Sequence, residues 1–184
     1  MKRVGFNPWG VRGHWRCAIS LYLTVPLLTG VALVQTVLLS RVNLWGARPD
    51  LMLLVVLIWA LVRGAEEGLV WGFIGGFIID MFSGGPMGAT MMALVVAALL
   101  TGQPWAEGIS SAVARLLLVT FVAVIAYHLM LLIVMAWTGF PVDFGRALLQ
   151  VAAPSALFNA VLAPFARWPL NWLERRTREE RFAL

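Results

Sequence analysis

Apolar residues along the chain fall into six runs, parted by charged residues or by glycine and proline. The runs lie at about 18–39, 50–62, 67–82, 89–103, 115–138 and 148–168. At about 1.5 Å per residue, the first, fifth and sixth are long enough to cross about 30 Å of hydrocarbon as helices. Pro26 and Gly30 place a bend in the first. The second, third and fourth hold only about 12–16 clean apolar residues, where about 20 are expected. Two arrangements accommodate them: short spanning helices with a thinned bilayer or snorkelling flanks, or a re-entrant hairpin of runs two and three. Re-entrant backbone needs protein on most sides, and 184 residues provide little cover, which favours three short spanning helices. The pattern predicts an all-α membrane protein, a bundle of six transmembrane helices with short central helices.

Composition agrees. The chain is 61% hydrophobic and 12% charged, with a mean hydropathy of +0.86. Soluble domains are about 45–50% apolar and about 25% charged, and a small domain cannot hide so much apolar surface in one aqueous core. One membrane domain, 18–172, is expected between a basic segment, 1–17, and a charged tail, 173–184. The first run is about 22 residues, longer than a cleavable signal core of about 7–15, so it reads as a retained span. The tail NWLERRTREERFAL mixes Arg and Glu at helical spacing, as a solvated continuation of the last helix would.

Charge sets the orientation. With six spans and both termini cytoplasmic, eleven basic residues fall inside, Arg63, Arg115 and Arg167 among them, and Arg41, Arg48 and Arg146 fall outside. An odd number of spans would put a strongly basic terminus outside. Trp15, Trp59, Trp71, Trp105, Trp168 and Trp172 lie near the inner boundary on this scheme, and Trp45 and Trp137 near the outer one, as interfacial indoles do. The net charge of +5 flanks hydrophobic runs instead of forming a stripe, so nucleic acid is not an expected partner.

Little of the sequence assembles chemistry. No metal-spaced His/Cys cluster, phosphate-binding glycine loop or nucleophile elbow occurs, and the single Cys17 excludes an internal disulfide. His128, beside Tyr127 in the fifth run, reads as a packed histidine. No cofactor, metal or catalytic residue is expected. The informative stretch is GLVWGFIGGFIIDMFSGGPMG. Gly68, Gly72 and Gly76 recur every four residues on one drifting helix face, and such faces let membrane helices approach closely. A neighbour, within the fold or a partner, is expected to grip this face. Asp80 is the next member of the series, so it points toward the packed side. A charge at membrane depth costs several kcal/mol in the middle and less near an interface, and is usually paired. Arg48 and Asp50 belong to the same outer level, making Arg48, Asp50 and Asp80 a candidate polar cluster. Either Arg48 or a backbone donor of the SGGPMG turn is expected to satisfy Asp80; the plainer alternative is a cap on the end of its own helix. Asn159, bracketed by Pro154 and Pro164 in the last run, can hydrogen-bond between helices.

These residues resemble a known family. The stretch RPDLMLLVVLIWALVRGAEEGLVWGFIGGFIIDMFSGGPMGATMMAL is similar to the core signature of MreD, the rod shape-determining membrane proteins of bacteria. Pro49, Asp50, Arg63, Gly64, Gly68, Gly72, Gly76, Asp80, Gly84, Gly85 and Gly88 carry the match, and Pro154 and Asn159 in APSALFNAVLAP carry a second. The longer basic lead of this chain departs from the family pattern. The resemblance implies a non-enzymatic inner-membrane component of the cell-elongation machinery. Its implied partner is MreC, and through MreC the MreB filaments, the RodA glycosyltransferase and a class B penicillin-binding transpeptidase. It also implies an architecture like that of the substrate-binding components of energy-coupling-factor transporters. That likeness leaves a second reading, a transporter component with an outward cavity near Asp80, Arg48 and SGGPMG.

Overall fold

Every element is helical among the described residues, 14–37, 50–103 and 108–179 of the computed structural model. They are α1 (His14–Val37), α2 (Leu51–Arg63), α3 (Ala65–Ser83), α4 (Ala89–Thr101), α5 (Ala112–Trp137), α6 (Phe144–Ala147) and α7 (Ala153–Glu179). A π-helical turn, Leu148–Ala152, joins α6 to α7 without a break. Pro154 follows directly; its ring would clash with a carbonyl one α-turn earlier, and a wider turn makes room for it. α7 runs on through Pro164 and Pro169 into the charged tail.

Among the described residues two helices are long and apolar enough to cross a membrane, Ala112–Trp137 and Phe144–Leu170. The apolar runs predict six crossings; α2, α3 and α4 fall short for separate reasons. α3 has 19 residues but carries Glu66, Glu67 and Asp80. α2 and α4 have 13 residues each, about 20 Å at 1.5 Å per residue.

The shortness of α2 follows from its position. It packs against α1, α3, α4, α5 and α7, and Met52 to Leu54 and Val56 to Ala60 are all buried. A helix apolar on all sides belongs inside a protein, and one walled in by other helices need not match the thickness of a bilayer. α4 is two-faced: Ala89, Ala93, Ala97 and Ala98 are buried, whereas Met92 and Leu99 are exposed. Its alanines let α3 and α5 come close on either side.

The succession α2–α3–α4–α5 runs antiparallel. Gly64, at φ +95°, is the sole residue between α2 and α3, a conformation open to glycine and strained for other residues. This corner gathers Arg63, Glu67, Thr101 and Arg115 at one end of the bundle, here called the arginine end. Asp50, Asp80 and Gly88 collect at the other, the aspartate end.

Candidate functional site

The aspartate end is built by the glycine face of α3. A β-carbon on Gly76 would overlap the Met91 backbone of α4, and one on Gly72 would lie 3.1 Å from the Leu94 carbonyl oxygen. Gly68 instead meets Ala60 of α2, and Gly75 meets Met52 of α2. Each four-residue step overshoots a full turn by about 40°, so the face drifts from one neighbour to the next. The close approach at Gly76 sets the start of α4 beside the residue four positions on.

That residue, Asp80, is 4% exposed. Its Oδ2 accepts from the Gly88 N–H at 3.0 Å and the Met91 N–H at 3.1 Å, and its Oδ1 from the Thr90 N–H at 3.0 Å. A helix start leaves four N–H groups without intrahelical partners. At α4 all four are accounted for: Gly88, Thr90 and Met91 by Asp80, and Ala89 by the Pro86 carbonyl; Met92 then opens the helical ladder on the Gly88 carbonyl. The carboxylate also lies at the positive end of the helix dipole, and its bonds are of the stronger, charge-assisted kind. Asp80 is thus the cap of α4, reached from the last turn of α3. The turn donor anticipated from the sequence is Gly88; the other two donors lie in α4 itself. Arg48 is outside the described residues.

The start of α2 is held in a similar way by more partners. Asp50 caps it, Oδ1 accepting from the Leu53 N–H at 3.0 Å. Gln35 of α1 accepts from the Met52 N–H at 2.8 Å, and Asn159 Oδ1 of α7 from the Asp50 N–H at 3.3 Å. Asn159 is fully buried, and its amide donates to Ser155 Oγ at 3.2 Å. The Tyr127 hydroxyl of α5 lies beside the Asp50 side chain. Three helices, α1, α5 and α7, therefore meet at the N-terminus of a fourth, α2. Asp50, Asp80 and Asn159 share one polar layer, with Gly68, Gly72 and Gly76 below it on α3. Gln35, Tyr127 and Ser155 are members the sequence reading misses. Gln35 had the clearest signal, an amide in an apolar run; the hydroxyls carried none.

At the arginine end, Trp59 and Trp71 stack with centroids 4.0 Å apart. The Arg63 guanidinium sits 5.3 Å over the Trp59 ring and 3.8 Å from Glu67. The Arg63–Glu67 ion pair and the Trp59–Trp71 stack thereby tie α2 to α3, while the cation–π contact holds the Arg63 guanidinium over its own helix's Trp59.

Chemically, the aspartate layer is a set of acceptors matched to backbone donors. Among the described residues no three His, Cys, Asp or Glu side chains group as a metal site requires.

A family model, rod shape-determining protein MreD, matches residues 18–170, which takes in most of α1 and every helix up to Leu170 of α7. Neither the curated proteins nor the solved structures yield a match to the chain. The chain belongs to the MreD family.

Proposed function

We propose that this MreD-family protein, whose membership supports a role in rod shape determination, is an integral inner-membrane scaffold of bacterial cell elongation. In this reading six helices span the membrane with both termini and the arginine end cytoplasmic, in a bundle like the substrate-binding components of energy-coupling-factor transporters. The scaffold binds the single-span MreC and helps to position peptidoglycan synthesis, with MreB, RodA and a class B penicillin-binding transpeptidase reached through MreC.

The observation that carries the reading is the inward satisfaction of the aspartate layer. From Arg115 to Tyr127 is 12 residues along α5, about 18 Å. With the arginines at one interface, Asp50 then lies inside the roughly 30 Å hydrocarbon slab. Charges at that depth are tolerated when paired within the protein, and here the starts of α2 and α4 serve as partners. The result is a stiff core with apolar outer faces, suited to holding a partner helix in place. A polar substrate site would draw on the same two carboxylates, which backbone donors already engage; this favours the scaffold over the transporter reading.

The test is co-purification of tagged protein with MreC from cells expressing both at native level, together with cell shape after depletion. The scaffold reading expects stable capture of MreC and rounding of rods. Capture of an ATPase module and a retained small solute, with rods unaffected, would replace it with the transporter reading.

A further inference from the structure

The last turns of α2, the first turn of α5 and the middle of α7 enclose a cavity of about 260 Å³ at the arginine end. Its walls are Ile58, Leu61 and Leu116, and Arg115 and Arg167 line it from separate helices. Both arginines are half-buried. Ion pairs join Arg63 to Glu67 and Arg146 to Asp143; among the described residues no carboxylate pairs with Arg115 or Arg167. Two cations drawn partly out of water toward one space repel each other, and an anion between them turns that repulsion into attraction. Orientation by the positive-inside rule needs basic residues near the boundary; it does not need two of them, 52 positions apart in sequence, to converge on one cavity.

We infer that this cavity binds the phosphodiester headgroup of an anionic phospholipid. Planar guanidinium groups suit the oxygens of a phosphate, and basic pockets between membrane helices on the cytoplasmic side take such headgroups. The apolar walls select lipid over free phosphate, because Ile58, Leu61 and Leu116 offer nothing to a small hydrated anion and cover a glycerol backbone well. Sites that engulf a drug-sized ligand run to about 300–1,000 Å³; this smaller one admits the headgroup and leaves the acyl chains in the bilayer. A lipid held here joins α2, α5 and α7 at the end opposite their polar layer. The inference rests on the membrane placement proposed above and is independent of which protein partner binds.

Native mass spectrometry of the full chain in mild detergent tests it, with cardiolipin, phosphatidylglycerol, phosphatidylcholine and inorganic phosphate as probes. The wild type should retain one cardiolipin or phosphatidylglycerol in preference to phosphatidylcholine, with the preference weakened by salt. At about 1 kcal/mol per basic residue, Arg115→Gln with Arg167→Gln should weaken anionic lipid binding about 30-fold, and each alone about fivefold. Arg146→Gln, away from the cavity, should leave it unchanged. Equal retention of phosphatidylcholine, or a double variant that binds as the wild type does, would overturn the assignment. Displacement by millimolar phosphate would reassign the site to a free anion. If the glutamine pair fails to fold, the salt series on the wild type decides: anionic lipid retained unaltered at high ionic strength contradicts the site. MreC capture reads separately, so either proposal can fail alone.

Discussion

Replacing Asp80 by alanine removes the acceptor of three backbone N–H groups at once, those of Gly88, Thr90 and Met91. Hydrogen bonds to a charged group each contribute about 1.5–3 kcal/mol net. The three share one carboxylate, whose own desolvation cost disappears with it, so their sum overstates the loss. Breaking one side of a buried charged arrangement typically costs about 3–5 kcal/mol, and that is the expected range for Asp80→Ala. Asparagine keeps one acceptor oxygen but turns an amide donor toward the third N–H and gives up the favourable interaction with the helix dipole. Asp80→Asn should therefore cost about 1–2 kcal/mol. Against a total stability of about 5–15 kcal/mol, alanine should sharply reduce accumulation and asparagine should do so mildly. Detergent-mediated equilibrium unfolding of the purified chain, followed by tryptophan fluorescence, gives the order Asp above Asn above Ala. If Asp80→Ala unfolds within about 1 kcal/mol of wild type, the carboxylate does not hold α4. The reading would also fail if both variants kept full stability and lost MreC binding, since Asp80 would then be a contact residue and not a cap.

Other substitutions probe the rest of the core by the same unfolding assay. Gly76→Ala places a methyl against the Met91 backbone and should cost about 1–3 kcal/mol as overpacking does. Gly30→Ala, which meets open space on α1, should be neutral or stabilising by up to about 1 kcal/mol. Asn159→Ala removes the link from α7 to the start of α2 and should cost about 0.6–2 kcal/mol; coupling to Gln35→Ala in a double-mutant cycle would show that both serve the same helix end. Trp59→Ala deletes the ring between Arg63 and Trp71 and should cost about 3–5 kcal/mol.

The helices were largely legible because apolar runs in a membrane chain are bounded by charge and glycine. The runs at 50–62 and 89–103 correspond to Leu51–Arg63 and Ala89–Thr101. Reading stopped where tertiary neighbours decide. Nothing in DLMLLVVLIWALV separates a short span from a helix enclosed by five others; only the packing of α2 does. The four-residue glycine series announced close contact, yet its drift sends Gly68 to α2 and Gly72 and Gly76 to α4. Asp80 was visible as an anomaly, an acid where an apolar residue would serve. Its partners were not, because a cap offered by one helix to the next depends on how the intervening turn folds back. Gln35 and Tyr127 act on a helix start distant in sequence, and local pattern carries no trace of that.

The proposed six-span arrangement requires the two ends of α3 to lie on opposite sides of the membrane, and labelling of single cysteines tests this directly. In a chain with Cys17→Ala, cysteine is introduced at Glu66, in the exposed first turn of α3, or at Met87, exposed in the turn before α4. A membrane-impermeant maleimide applied to cells with a permeable outer envelope should label the Met87→Cys chain from outside. The Glu66→Cys chain should react only once the inner membrane is opened. Labelling of both from the same side, or the reverse order, would contradict the spanning arrangement and the depth assigned to the aspartate layer.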